Sequence, residues 1–432
     1  MSGIKRASRP VTDTRSRDQI QSPRLNEFVR AASSGSRARK GELWARLVRE
    51  GVPLVESIEG DRKSRRVTFV WRPSGSVGSP AIYTPIANPT KGEMQLLPAG
   101  DTGIWWRSFV VPRGTRAMYA FSRLAAPGPT GGPAEWAAFF RNLVADPNHR
   151  AGFTMQRDPD DPTDKDARVS VLSLPGAPPL PPTRTPSVPQ LTRYPFKSRI
   201  LPGRRSVWVG FPGGRGTAHR PLNLLIAFDG VVYQSAVPTP TIVRNLVRER
   251  VIDPTAVVLV GNVVHGREKE LGHNRKFVRF LVEELLPWLR DSLGIDVPAQ
   301  RTVLAGSSLG GLAAAYAALQ APDRFGAVLA QSGAFLWGTV PGSRRLPPLF
   351  EEYRRAPRER TRFYLDVGRL EDVVFPGLEK SLLEGVREFR DLLRARGYPV
   401  RYAEFAGGHD YSCWSATFAD GLRHLIGRRR AS

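Results

Sequence analysis

The stretch from residue 301 to 333 constrains the fold more than any other part of this sequence. Residues 302–305 form a short apolar run with β-branched side chains, and from Gly310 the chain is rich in alanine, which favours a helix. The Gly-Ser-Ser-Leu-Gly sequence at 306–310 must therefore turn directly from strand into helix. Small flanking residues permit the strained backbone that such a turn requires. The pattern predicts an elbow that lifts the hydroxyl of Ser308 out of a sheet as a nucleophile.

The sequence around this elbow alternates between strand and helix signals. Buried strands that cross over to helices indicate an α/β fold with a doubly wound, mostly parallel sheet. The predicted strands are short apolar runs at 206–210, 224–228, 256–260, 302–305, 327–330 and 363–367, and helical spacing appears over 277–289 and 312–319.

The preceding part has a different pattern. Between about residues 52 and 172, alternating aromatic and β-branched runs such as RRVTFVWR, IWWRSFVV and MYAF predict short strands without long helices, which is typical of an all-β, Ig-like sandwich. We therefore expect four segments: a disordered basic tail at 1–40, a β-sandwich domain at 41–173, a proline-rich linker at 174–197 and a catalytic α/β domain at 198–432. A first helix is predicted near 41–50.

The chain carries 64 Lys and Arg against 40 Asp and Glu, a formal net charge of +24. Charge on this scale attracts anions over long distances. Nucleic acid is disfavoured as the partner because the basic residues are spread along the chain and no recognised binding module is present. A basic cleft for a small anionic substrate and a simple compositional bias towards arginine both remain open.

Other compositional features bear on location. No apolar run approaches the length that spans a bilayer, the N-terminal stretch is basic without becoming apolar, and Cys413 is the only cysteine. We expect a cytoplasmic protein that does not insert into membranes. The sequence leaves the oligomeric state open.

A serine nucleophile needs a base and an acid to orient it. His409 follows a strand-like run at 400–405 and a Gly-Gly pair, which places it on a loop where α/β active sites form. For the acid, the loop after the 363–367 strand offers Glu371, with Asp372 as the runner-up. Asp366, within that strand, is interpreted as facing substrate or an arginine. Ser308, Glu371 and His409 then follow the chain order of α/β-hydrolases.

Two further sets of residues complete the predicted site. The backbone N–H of Leu309 and that of Gly230 or Val231 are the candidate oxyanion donors. His273 and Arg267 are predicted to line the cleft wall. A metal site is not expected, because the spacing between His265 and His273 matches no helical ligand pair.

Several motifs together resemble the enterochelin esterase family. They are the elbow GSSLGGLAAAYAAL with QAPDRFGAVLAQSGAFLW, the segment GREKELGHNRKFVRFLVEELLPWL, the turn FDG and the closing GGHDYSCW. RRVTFVWR, IWWRSFVVP, MYAF and DPNHR are similar to the N-terminal sandwich of that family, so the resemblance covers most of residues 52–427.

The resemblance implies an α/β-hydrolase that opens the trilactone of a ferric catecholate siderophore inside the cell. Ser308 would match the nucleophile, His409 the base and Glu371 the acid, and the sandwich would help to cover the cleft. No cofactor is implied, since iron enters only as part of the bound siderophore.

Candidate substrate contacts are Arg267, His273, Arg369 and Trp414, the arginines because they would attract an anionic ferric complex. Two other functions stay open at this point: an esterase for aromatic acyl groups on carbohydrate, and a basic binding protein without activity.

Overall fold

The computed structural model describes residues 21–128, 131–181, 191–217, 221–374 and 378–428. The first half of the predicted tail, 1–20, and the centre of the predicted linker, 182–190, lie outside these ranges.

The described part of the chain begins with two helices, α1 (Pro23–Ala32) and α2 (Arg37–Glu50), in a region where part of a disordered tail was predicted. The prediction was therefore wrong for residues 23–40. Leu25, Phe28 and Ala32 recur at helical spacing and are buried, and the Ser22 side chain caps the helix by accepting the N–H of Leu25. The density of arginine concealed this narrow apolar stripe.

The next part of the chain forms two antiparallel sheets, ordered β1-β2-β5-β4 and β3-β6-β9-β8, with β7 paired to β6. The strands are β1 (Leu54–Ile58), β2 (Asp61–Trp71), β3 (Ala81–Tyr83), β4 (Leu97–Pro98), β5 (Trp105–Pro112), β6 (Arg116–Ser122), β7 (Leu143–Val144), β8 (Gly152–Met155) and β9 (Ala167–Ser173), with helix α3 (Pro133–Arg141) before β7.

The two sheets share one core, as a sandwich requires. Phe69 on β2 meets Tyr119 on β6 with ring centroids 4.7 Å apart, and Trp71 stacks on Phe121 at 5.2 Å. The other face of β2 packs against α1 and α2 through Val70. Each face of this strand is thus covered, which explains its continuous run of buried residues.

An eight-stranded sheet follows, ordered β10-β11-β13-β12-β14-β15-β16-β17. Its strands are β10 (Thr192–Lys197), β11 (Arg204–Gly210), β12 (Asn223–Phe228), β13 (Thr255–Val260), β14 (Thr302–Ser307), β15 (Ala327–Gln331), β16 (Arg362–Gly368) and β17 (Val400–Phe405). From β13 to β17 neighbouring strands are parallel, whereas β10 and β11 pair antiparallel at one edge. The predicted α/β-hydrolase class with a mostly parallel sheet is confirmed.

Helices cover both faces of this sheet. They are α4 (Gly230–Ser235), α5 (Thr239–Arg248), α6 (Arg267–Leu271), α7 (Arg275–Arg279), which continues through a π-helical turn (Phe280–Leu285) into α8 (Leu286–Leu293), α9 (Leu309–Gln320), α10 (Pro348–Arg355), α11 (Leu382–Ala395) and α12 (Tyr411–Ile426). One core lies beneath α7 to α11, and the other beneath α4, α5 and α12.

Strand β10 lies inside the predicted linker, so the linker does not extend to residue 197. The strand contains Pro195, and a proline is tolerated in an edge strand because such a strand pairs with a neighbour on one side only. Tyr194 and Phe196 on this strand pack edge-on against Trp288 at 5.1 and 5.4 Å.

Candidate active site

The predicted elbow is present at the end of β14. Ser308 has φ 56° and ψ −122°, an uncommon conformation for a residue with a side chain, and α9 begins at Leu309. The turn depends on small neighbours, because a Cβ placed on Gly306 would lie 2.5 Å from the backbone carbon of Gly310. The Ser308 N–H donates to the Gln331 carbonyl at 3.0 Å, which ties the elbow to β15. Ser308 itself is partly exposed.

The predicted oxyanion donors lie at the starts of two helices, α4 and α9, which follow the neighbouring strands β12 and β14. The first hydrogen bond within α9 joins the Leu312 N–H to the Ser308 carbonyl. The Leu309 N–H therefore lies in the first turn, before the hydrogen bonds of the helix begin. In α4 the first such bond runs from Tyr233 to Asp229, which leaves Gly230 and Val231 in the equivalent position.

These two turns also face each other. Strands β12 and β14 are adjacent, and a Cβ placed on Gly310 would be 3.2 Å from Asp229 Oδ2. The structure therefore brings both predicted donor segments to the same edge of the sheet.

The base and acid candidates are in direct contact. His409 Nδ1 lies 2.7 Å from Glu371 Oε2, and no such bond joins His409 to Asp372 in the described part of the chain. Glu371 Oε1 accepts the Gly368 N–H at 2.7 Å and the Ser332 hydroxyl at 2.6 Å. Together with His409, these groups give the buried carboxylate three hydrogen-bond partners, which fix it in place against the imidazole. Geometry favours Glu371 over Asp372 as the acid.

Ser308 and His409 lie at the carboxyl ends of parallel strands in one sheet, so they share an edge. Ala334 donates its N–H to the Ser308 carbonyl, and Ser332, two residues earlier, binds Glu371. Within the described ranges no hydrogen bond joins the Ser308 hydroxyl to His409. Catalytic hydrogen bonds are often long before substrate binds and shorten in the Michaelis complex.

Trp414 is almost fully buried. Its side chain is 2% exposed, its Nε1–H donates to Ser332 Oγ at 2.9 Å, and its ring meets that of His409 edge-on at 4.8 Å. The prediction of a substrate contact was wrong, because α12 turns the indole inwards. Trp414 and Ser332 instead support the acid and the base from behind.

Arg267 is bound to a carboxylate. Its Nε and Nη2 bind the two oxygens of Asp229 at 2.6 and 2.8 Å, and Asn262 donates to the same carboxylate. Burial acts to lower the pKa of Arg267, but the attraction and hydrogen bonds of Asp229 outweigh it and raise that pKa above its ordinary value. Much of its charge is thus matched, which weakens its predicted role in attracting an anion.

Arg369 and His273 have different surroundings. Arg369 is exposed on the loop that carries Glu371, at the catalytic edge. The His273 ring lies against Tyr316 at 4.1 Å, near Glu352, on an open surface cavity of about 660 Å³. Since Tyr316 follows Ser308 by eight residues, or about 12 Å along α9, His273 contacts this helix about two turns beyond the elbow.

Asp366 is also buried. Its side chain is fully buried on β16, where Gln331 Nε2 approaches its Oδ2 at 3.4 Å, and burial raises its pKa to about 7. The interpretation of Asp366 as facing substrate or an arginine was wrong. Sequence reasoning also missed Ser332 and Gln331, although both stand in the Gln-Ser-Gly run that ends β15.

Comparison with known families agrees with this geometry. Residues 198–425 match a family described as "Putative esterase", and residues 66–182 match "Enterochelin esterase, N-terminal". This chain belongs to the enterochelin esterase family. The predicted resemblance is confirmed in both halves of the chain.

Relatives within this enterochelin esterase family match nearly the whole chain. The iron(III) salmochelin esterase of Escherichia coli O6:H1 is 29% identical over 91% of this chain and 96% of its own length. The iron(III) enterobactin esterase of Dickeya dadantii is 28% identical over 92% and 96%. A crystal structure of the enterobactin esterase from Shigella flexneri in the presence of enterobactin superposes with a TM-score of 0.69, at 25% identity, over 91% of this chain and 98% of that one.

Two features are absent from the residues that the structure describes. None of the helices in those ranges has both the length and the apolarity to cross a membrane. In the same ranges, no group of three or more His, Cys, Asp or Glu side chains could hold a metal ion.

Proposed function

We propose that this protein is a serine esterase that hydrolyses the lactone esters of a ferric catecholate siderophore of the enterobactin class, so that iron can be released. The observation that carries the proposal is the Glu371–His409 pair at 2.7 Å, on the same sheet edge as the strained Ser308 elbow. The family match over both halves of the chain supports the substrate class.

The mechanism is acyl transfer. As Ser308 Oγ attacks a lactone carbonyl, His409 Nε2 takes its proton, and Glu371 stabilises the imidazolium through Nδ1. The oxyanion accepts the Leu309 N–H and that of Gly230 or Val231. His409 then gives the proton to the departing seryl alkoxide, and the ester bond breaks to leave an acyl-enzyme.

Water completes the reaction. His409 takes a proton from the water molecule that attacks the acyl-enzyme, and returns it to Ser308 as the free acid leaves. The proposed chemistry requires no resident metal, because Ser308, His409 and Glu371 supply the nucleophile, the base and the acid. Iron enters only as part of the substrate. A cytoplasmic location, as predicted from the sequence, is part of the same proposal.

Charge supports an anionic substrate. The net charge of +24 attracts a ferric tris-catecholate over long distances, and the exposed Arg369 lies on the loop beside the acid. Arg267 contributes less to this attraction, since Asp229 binds its guanidinium.

The test is product analysis with a ferric catecholate trilactone, compared with a feruloylated sugar. We expect the linear trimer and shorter catecholoyl-serine products from the trilactone, and much slower release of ferulate. Ser308→Ala serves as the control that must form neither product. Faster turnover of the feruloylated sugar would overturn the siderophore assignment, and binding of the trilactone without hydrolysis by the unmodified protein would overturn the enzymatic one.

A further inference from the structure

The loop that carries His409 lies directly against the β-sandwich. The Arg116 N–H on β6 donates to the Ala406 carbonyl at 3.0 Å. A Cβ on Gly408 would lie 2.4 Å from the Pro85 carbonyl oxygen, and one on Gly407 would lie 3.0 Å from the Arg116 carbonyl oxygen. The two glycines before His409 therefore permit an approach that a larger residue would prevent.

Asp410, the residue after His409, joins this loop to the sandwich and to helix α12. Its carboxylate is fully buried. Oδ2 accepts the Met118 N–H of β6 at 2.5 Å, and Oδ1 accepts the N–H and hydroxyl of Ser412 at 2.6 and 2.7 Å. One oxygen thus binds the sandwich, and the other caps α12.

A buried carboxylate is costly unless donors surround it. Burial raises the pKa of Asp410, and its hydrogen bonds to Ser412 and Met118 act in the opposite direction. Met118 and Asp410 are 292 residues apart in sequence, so only the docked sandwich supplies this donor. Capping α12 requires only Oδ1 of Asp410, so the bond from Met118 to Oδ2 is additional to the capping role.

We propose that Asp410 is a positioning residue through which strand β6 of the sandwich fixes the His409 loop, so that the imidazole is held ready to reach Ser308. The sandwich then contributes to the action of the base in addition to any cover it gives the cleft. This inference rests on the proposed serine-esterase function. Its physical basis is that a displacement of about 1 Å in a catalytic group can reduce the rate by about a hundredfold.

The selective variant is Asp410→Asn. The side-chain carbonyl of asparagine can keep both bonds from Ser412, but its NH₂ group would then face the Met118 N–H, donor against donor. The matched control is Ser412→Ala, which removes one bond on the helix side and leaves the sandwich contact intact.

We expect Asp410→Asn to lower kcat by between about tenfold and a hundredfold, with KM changed by less than about threefold. Labelling of Ser308 by a fluorophosphonate should slow in parallel, since it needs the same base. Ser412→Ala should lower Tm but keep kcat within about threefold of the unmodified enzyme. Equal losses of kcat in the two variants would overturn the proposal, because a general loss of stability would then explain both.

A spectroscopic readout separates this inference from the proposed function. The His409 Nδ1 proton, in its hydrogen bond to Glu371, should give a resonance far downfield in the proton NMR spectrum. We expect that resonance to persist in Ser412→Ala and to weaken or move upfield in Asp410→Asn. The measurement does not require turnover, so it tests the positioning even if the protein hydrolyses no siderophore.

A second variant covers the case in which Asp410→Asn does not fold. Gly408→Ala leaves the carboxylate in place but directs a methyl group at the Pro85 carbonyl. It should reduce kcat and disturb the downfield resonance in the same way. If the folded Gly408→Ala protein, or the folded Asp410→Asn protein, retains full kcat and the resonance, the proposal is wrong.

Discussion

Ser308 and His409 are held in place by different kinds of contact. Ser308 depends on backbone: a positive φ, a tight approach between Gly306 and Gly310, and hydrogen bonds from main-chain groups. His409 depends also on side chains from other elements, with Glu371 bound to its ring and Trp414 packed against it, in addition to the backbone contacts of its loop with the sandwich. The difference teaches that the nucleophile is specified locally, whereas the base is specified by residues from several distant elements.

The largest expected effect removes the nucleophile itself. Ser308→Ala should reduce hydrolysis by up to about a millionfold, because no other group can form the acyl-enzyme. Turnover is measured with an aryl ester and with the ferric trilactone, and substrate binding by quenching of tryptophan fluorescence. Binding should survive almost unchanged. Turnover that remains undiminished would remove Ser308 from the mechanism.

The next effect tests the side-chain support of the base. Glu371→Gln should lower kcat by between about 10² and 10⁴, since a neutral amide stabilises the imidazolium less than a carboxylate. Asp372→Asn is the matched control and should change kcat by less than about threefold, because Glu371 is the carboxylate that lies 2.7 Å from His409. Should steady-state kinetics show the reverse order, the acid is Asp372.

A smaller effect tests the backbone support of the nucleophile. Gly306→Ala places a methyl group 2.5 Å from the Gly310 backbone, so the elbow must shift and kcat should fall by about thirtyfold to a hundredfold. The control is Gly41→Ala within α2, where nothing lies within 4 Å of the added Cβ, and helix propensity should raise stability by up to about 1 kcal/mol. Full activity in the Gly306 variant would show that the elbow tolerates a side chain.

The smallest effect on activity is expected at Asp366, which is buried on β16. There the measurable change is in the pH dependence of stability. Its folded pKa of about 7 exceeds the unfolded value near 4, so between these pH values the folded state holds a proton that the unfolded state has lost. Its stabilising contribution is complete below about pH 4 and is lost as the pH rises through 7, an effect on the order of a few kcal/mol.

Asp366→Asn stays neutral at every pH and should therefore flatten this dependence. The free energy of unfolding at pH 5 and pH 8, from urea titrations, measures the difference. Parallel pH dependences in the two proteins would show that Asp366 is ionised in the folded state.

The contrast between local and long-range contacts explains which features of the fold and the site could be predicted from the sequence. The Gly-x-Ser-x-Gly spacing encodes the elbow within five residues, so the strand, the helix and Ser308 could be assigned from the sequence. Glu371 and His409 each follow a strand directly, and parallel strands bring such loops to one edge.

Other features depend on long-range packing and could not be predicted in this way. The bond between Asp410 and the Met118 N–H joins residues far apart in sequence, and the buried position of Trp414 follows from how α12 docks on the sheet. Helix α1 was hidden by its charge, because three buried side chains suffice to dock it, whereas the helix predicted near 41–50 lies within α2.

Those first two helices have a practical consequence for shortened versions of the protein. Residues 23–50 look dispensable because they are basic and precede every described strand, yet Leu25, Phe28 and Leu47 cover Val70 and Trp106 on the β1-β2-β5-β4 sheet of the sandwich. A chain trimmed to begin at Val52 would leave that apolar face open to water, and exposed patches of this kind favour association between copies. Solubility would then decline even though every residue of the catalytic edge was retained.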